Sequence, residues 1–221
     1  MRPFARFHFS QEGEDLVLKR LFEGQASGFF VDVGAHHPFR FSNTYWAYQN
    51  GWSGVNIDAT PGSSRPFNRW RPRDVNVEIC IGTVERTLDY TIFSEPALNT
   101  YDSSRVDSLS SSKYSPKGTV RLQTRRLDNV LSEIFVGNSD PVIDFLSIDV
   151  EGSEMDVLES NDWLRFKPRV IVIEILGKTL STVSGSKEFQ FLTKLGFVPV
   201  SMLYHSVIFI SDEELLAERW S

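Results

Sequence analysis

Acidic residues sit near the ends of four apolar runs in this chain. Asp32 lies in Phe29-Phe30-Val31-Asp32-Val33, and Asp58 closes Gly54-Val55-Asn56-Ile57-Asp58. Asp149 and Glu151 follow the core of Val142 to Val150, and Glu174 lies in Arg169 to Leu176. If these runs are neighbouring strands, the carboxylates converge on one crevice. Such a pocket costs folding free energy unless a cation or hydrogen-bond donors compensate. The set suits a ligand that combines a sulfonium, an ammonium and a ribose diol.

The first turn narrows the choice. Val31-Asp32-Val33-Gly34-Ala35-His36 holds one glycine, whereas a dinucleotide site wants G-x-G-x-x-G so that backbone can approach a pyrophosphate. His36 stands at the second glycine position, and no G-x-x-x-x-G-K-[ST] phosphate loop occurs. S-adenosylmethionine carries no phosphate, so Gly34 with Ala35 suffices for close approach to its ribose and methionine part. Asp58, with Ala59 beside it, is placed to hold the ribose hydroxyls; a capping role is the structural reading. Asp32 orders the turn and reaches the methionine part through water, or else caps a helix.

Asp149 is a candidate for contact with the ligand's ammonium or with the acceptor. Glu151 shares that neighbourhood, with a first-turn helix cap as its alternative, and Glu174 reads as a strand-end structural acid. His36 and His37 are candidate general bases, because histidine titrates near neutral pH and an acceptor hydroxyl must lose a proton. Their structural reading is a solvated loop. Ser42 and Asn43 contact the cofactor or, with Thr44, cap the following helix. Cys80 and Ile81 end the third strand, as candidate cofactor contacts or simple core packing.

These residues need a frame. Short continuous apolar strands alternating with helical stretches predict a parallel sheet covered on both faces. The strands are Phe29 to Val33, Gly54 to Asp58, Val75 to Ile81, Leu88 to Phe93, Val142 to Val150, Arg169 to Leu176, Phe197 to Leu203 and Ser206 to Ile210. An N-terminal helix is expected over 10–23 with Ser10 as its N-cap. Further helices are expected over Thr44 to Gln49, Leu127 to Phe135, Ser153 to Leu158 and Lys187 to Leu195. Residues 93–118 are polar and serine-rich, and predict a mobile, structureless flap. One domain over 1–221 is expected, since this length buries one core.

The net charge of −6 argues against nucleic-acid binding, and the run Arg65, Arg69, Arg71 and Arg73 reads as a solvated helix face or loop. A single cysteine excludes an internal disulfide framework. With no signal-peptide pattern and no run long enough to span a membrane, a cytoplasmic address is the default. Nothing in the sequence sets an oligomeric state.

Ser10-Gln11-Glu12-Gly13-Glu14-Asp15 resembles the S-Q-x-G-E-D opening of the FkbM family of S-adenosylmethionine-dependent methyltransferases. Phe30 to His36 is similar to the family's glycine loop, Ser42-Asn43-Thr44 to its S-N-T, and Gly51-Trp52-Ser53-Gly54 to its G-W-x-G. Asp144-Phe145-Leu146-Ser147-Ile148-Asp149-Val150-Glu151-Gly152 resembles its D-F-L-K-I-D-V-E-G, and Ile173-Glu174 its late I-E. The resemblance implies a class I methyltransferase (Rossmann-like) α/β fold, with a mostly parallel sheet, helices on both faces and an antiparallel last strand. It implies O-methylation of a small-molecule acceptor such as a saccharide, and closure of Gln11 and Asp15 over the cofactor. Two positions depart from the family: Asp58-Ala59-Thr60-Pro61 stands where Glu-Pro is usual, and Ser147 replaces a lysine.

Two other readings stay open: an NAD-dependent oxidoreductase, and a nucleoside binder without catalysis. A divalent metal is likewise open, since Asp149, Glu151 and one further acid could hold Mg²⁺ with waters, though no spacing demands it.

Overall fold

The computed structural model describes residues 6–138 and 141–216. In chain order the elements are α1 (Glu14–Leu21), β1 (Phe29–Val33), α2 (Tyr45–Gln49), β2 (Ser53–Asp58), α3 (Ser64–Trp70), β3 (Val75–Glu78), β4 (Cys80–Ile81), β5 (Thr87–Phe93) and α4 (Ser103–Ser110). There follow β6 (Pro116–Arg125), α5 (Leu127–Ile134), β7 (Phe145–Ile148), α6 (Glu154–Glu159), β8 (Val170–Glu174), α7 (Lys187–Lys194), β9 (Phe197–Met202), β10 (Ser206–Ser211) and α8 (Asp212–Leu216).

Seven strands form one sheet in the order β3-β2-β1-β7-β8-β10-β9. Strand β10 runs antiparallel to both of its neighbours, and the other pairings are parallel. The last strand is therefore inserted in reverse, as the resemblance implies. Alternation of side chains splits the sheet into two cores. Val31, Ile171, Ile173, Val207 and Phe209 face α5, α6 and α7, which contribute Leu127, Leu131, Val157, Leu158 and Leu192. Phe30, Val170, Val172, Ile208 and Ile210 face the other way, toward Leu18 and Phe22 from the first helix and its end, and Trp46, Ala47 and Trp52. Covering both faces explains why these strands read as unbroken apolar runs.

Strand order reverses between β1 and β7, where the connections depart in opposite directions. A crevice opens there beyond the carboxyl ends of the strands. Val33 pairs with Ile148, and the Asp149 N–H donates to the Val33 carbonyl at 2.9 Å, so Gly34 and Asp149 leave the sheet side by side.

Four expectations need correction. Val75 to Ile81 is not one strand: after Ile79 donates to the Asp58 carbonyl at 3.0 Å, the chain leaves the main sheet and β4 pairs with β6 in a three-stranded sheet, order β4-β6-β5. Residues 93–118 are not structureless. They hold a 3₁₀ turn at Pro96–Leu98, then α4, whose N-cap Asp102 accepts from the Arg105 N–H at 2.8 Å, and the start of β6. Only Leu109 of α4 is buried, so no apolar period marked it. The N-terminal helix starts at Glu14, because Gly13 adopts a left-handed φ of 95° that breaks the helical path. Ser10 accepts instead from the N–H groups of Gly13 and Asp15.

Arg71 is the fourth. Arg65, Arg69 and Arg73 are exposed, but Arg71 is fully buried. Its Nε donates to Asp74 at 2.7 Å and its other arm to the Thr44 hydroxyl at 2.9 Å, and its guanidinium lies over the Phe30 ring. Among the described residues no helix is long and apolar enough to cross a membrane.

Candidate active site

The ends of β1, β2 and β7 bring Gly34, His36, Asp58, Ala59, Cys80, Ile81, Asp149 and Glu151 to one cleft of about 50 Å³. Ile57 and Ile79 line its apolar end, and Tyr90, Asn99 and Tyr101 from the β5–α4 region form its outer wall. At the rim Asp58 is held by backbone alone: one oxygen accepts from the His36 N–H and the other from the Thr60 N–H, each at 2.8 Å. Each oxygen keeps a lone pair for a further donor.

Gly34 serves the protein's own backbone first. A Cβ on it would lie 1.6 Å from the Asp149 carbonyl oxygen, and its φ is +87°. The glycine thus permits β1 and β7 to approach at the switch point, a need the first-turn motif did not reveal.

Other sequence-derived candidates stand behind the cleft. Asp32 is buried and accepts from the Thr44 hydroxyl at 2.7 Å. Burial pushes its carboxyl up to about 6, against the pull of Thr44 and Arg71. Ser42 accepts from the N–H groups of Thr44 and Tyr45 and so starts α2, while Asn43 donates to Ser147 at 3.1 Å. Ala35 is buried, its N–H bound to the Ile57 carbonyl. His37 Nδ1 accepts from the N–H groups of Phe39 and Arg40, which ties it into the turn. Asp15 is buried under Ser10 and the Phe9 N–H and does not line the cleft.

His36 adopts a left-handed φ of 53°, strained for a side chain of its size. Burial lowers its pKa, and Nε2 lies 3.3 Å from the Arg40 guanidinium. Arg40 is itself fastened to Glu95 by two hydrogen bonds.

Glu151 also adopts a positive φ, 56°. Its carboxylate takes both Nε (3.0 Å) and an outer nitrogen (2.5 Å) of Arg105, and its carbonyl accepts from Thr100. Behind it Glu154 caps the turn, accepting from the N–H groups of Val150 and Gly152, and burial pushes its pKa up to about 7. Burial and the neighbouring carboxylates also raise Asp149 and Glu174 well above the usual carboxylate range. Glu151, Glu174, Arg105, Arg40 and His205 border a wider depression of about 680 Å³ beside the cleft.

Residues 32–199 match the model of the methyltransferase FkbM domain. The chain belongs to the FkbM methyltransferase family. This accords with the class I arrangement of the sheet and removes the NAD-dependent reading. No curated protein matches the chain. Among solved structures it is similar to a precorrin-6y C5,15-methyltransferase from Geobacter metallireducens GS-15, at 14% identity and TM-score 0.42, covering 89% of this chain and 85% of that one. It is also similar to a TehB-like SAM-dependent methyltransferase from Corynebacterium glutamicum, at 9% identity and TM-score 0.44, covering 90% and 88%. Likeness at this level leaves their chemistry with them.

Within the FkbM pattern, the serine in place of lysine has a visible consequence. Ser147 hydrogen-bonds Asn43 and Asp32, and the cation acting on Asp32 is Arg71. Arg105, Glu154, Tyr90, Asn99 and Tyr101 were not anticipated. Glu154 alone left a trace, three residues past Glu151 at a helix start.

The raised acids fix a pH dependence. Between an acid's unfolded pKa and a higher folded one, the folded state binds more protons, so stability falls as pH rises. That window runs from 3.8 to about 6 for Asp32 and from 4.5 to about 7 for Glu154, and Asp149 and Glu174 extend it upward. His36 and His37, lowered from 6.5 by burial, oppose this only below 6.5. In EDTA the melting temperature is therefore expected to fall as pH rises from 6.5 through about 7, the upper end of the Glu154 window. A flat or rising profile would show these acids to ionise without penalty.

Proposed function

We propose that this chain transfers a methyl group from S-adenosylmethionine to a hydroxyl oxygen of a small, polar acceptor, a saccharide or related metabolite. The observation that carries the reading is Asp58, a carboxylate fixed by two backbone N–H groups at the rim of a slot floored by Ile57, Ile79 and Ile81. A ribose diol matches the carboxylate, and an adenine matches the apolar slot with Ala59 and Cys80. Asp149 and Glu151 supply the negative field that a sulfonium and an ammonium require.

The donor supplies an electrophilic methyl group; the chain positions the two partners and disposes of one proton. As the new O–C bond forms and the C–S bond breaks, the acceptor's proton needs a base. Asp149 fits this role by position, since it lines the cleft and its carboxylate neighbours Glu151 and Glu174 at the edge of the acceptor depression. His36 is the alternative base once Arg40 releases Nε2. The depression beyond Glu151 presents Arg40, Gln11, Ser108, Ser112 and Tyr114, a lining suited to hydroxyl groups.

A cleft of about 50 Å³ is smaller than the ~300 Å³ lower bound of small-molecule sites. On this reading the wall of Ala97, Asn99 and Tyr101 opens to admit the nucleoside, and residues 93–118 act as a flap.

The test is methyl transfer from labelled S-adenosylmethionine across a panel of hydroxylated glycans and metabolites. The expected result is acceptor-dependent release of S-adenosylhomocysteine. Tight donor binding with no transfer to any acceptor would make the chain a nucleoside binder instead, and no donor binding would end the reading.

A further inference from the structure

One carboxylate oxygen from each of Asp149, Glu151 and Glu174 lies within 4.8 Å of those of the other two. Asp149 follows β7, Glu151 sits on the strained turn after it, and Glu174 ends the adjacent β8. The sheet itself therefore forces the three together. Acidic clusters on a surface are commonplace; this one differs in a specific way. Glu174 is only 7% exposed, and its Oε2 is buried with no hydrogen-bond partner among the described residues. A buried carboxylate oxygen left unpaired has lost its hydration with nothing to replace it, so the fold keeps it there at a net cost.

Positive charge at the cluster is scarce. Arg105 is spent on Oε2 of Glu151, and the charges acting on Glu174 are Asp149, Glu151 and Glu154 against Arg105 alone. His205 acts on Glu151 from the far side, and its own ring lies 2.7 Å from Glu12. Among the described residues, Arg105 is the one guanidinium hydrogen-bonded to the three-acid cluster.

We propose that Asp149, Glu151 and Glu174 form a site for a hard divalent cation, Mg²⁺ or Mn²⁺, at the junction of the cleft and the acceptor depression. Oxygen-only ligands select hard ions, and Mg²⁺ and Mn²⁺ complete their shells with water or substrate oxygen. The depression beside the cluster leaves room for those remaining ligands. An ion there supplies Lewis acidity to an acceptor oxygen. That use rests on the methyl-transfer reading; the binding site does not.

The experiment titrates the full chain with Mn²⁺ and follows the free-ion signal by electron paramagnetic resonance. One Mn²⁺ per chain, displaced by Mg²⁺, is expected. Glu174→Gln and Asp149→Asn should each weaken it by at least about tenfold, while the exposed Asp89→Asn should bind as wild type does. In EDTA, Glu174→Gln should melt above wild type, and Mg²⁺ should raise the melting point of wild type and of Asp89→Asn but not of Glu174→Gln. Undiminished free Mn²⁺ with wild type, or equal binding by both cluster variants, overturns the site. If neither variant folds, the wild-type melt decides, and no Mg²⁺ shift counts against the proposal. Dialysis of EDTA-treated wild type against S-adenosylmethionine keeps the readings separate, since loss of nucleoside binding indicts the proposed function and loss of Mn²⁺ binding only this inference.

Discussion

Gly34→Ala is expected to cost more than about 4 kcal/mol of stability, against the 5–15 kcal/mol typical of a domain. The new methyl would stand 1.6 Å from the Asp149 carbonyl oxygen and 2.6 Å from its carbon, both backbone atoms of a central strand's end. Neither atom can retreat without breaking the β1–β7 ladder, where Asp149 donates to Val33. The left-handed φ adds its own penalty for an alanine. For a chain of this size the melting temperature should drop by roughly 10 °C or more, or soluble protein should be lost. The readout is a thermal melt beside a donor-binding measurement. A normal melt with weakened S-adenosylmethionine binding would mean that the glycine serves the ligand rather than the sheet.

Asp58→Ala is expected to weaken S-adenosylmethionine binding by at least about a hundredfold in calorimetry. Hydrogen bonds to a charged group contribute ~1.5–3 kcal/mol each, and a ribose diol would make two. The substitution also frees the N–H groups of His36 and Thr60, which Asp58 now holds at the cleft rim. Asp58→Asn keeps one acceptor oxygen and the shape, so its loss should be smaller. Wild-type affinity in Asp58→Ala would remove the ribose assignment and, with it, the main support for the slot.

The two substitutions separate residues that look alike in the sequence. Gly34 and Asp58 both sit at strand-to-loop turns, one in a motif that resembles the FkbM family and the other where that family usually has Glu-Pro. Both border the cleft, but the structure ties Gly34 to backbone packing and leaves the Asp58 oxygens open to a ligand. Asp32 moved the other way. It read as a ligand contact because it is an acid near a strand end, yet it pairs with Asn56, two positions before Asp58, and so lies deeper in the sheet, bound to Thr44 beside the network of Arg71 and Asp74. Asp58, at the very end of its strand, reaches the rim.

The amino-acid sequence by itself determined the central sheet, its parallel character, the placement of Asp58, Asp149 and Glu151 at strand ends, and the family. Those follow from local apolar patterning and short motifs, which need no partner distant in the chain to be read. Tertiary structure alone decided that Val75 to Ile81 divides between two sheets, that the serine-rich stretch folds into α4 to deliver Arg105, and that Glu174 meets Asp149. Each depends on contact between segments tens of residues apart. Arg105 and Glu151 are 46 residues apart, and nothing within either segment encodes their meeting.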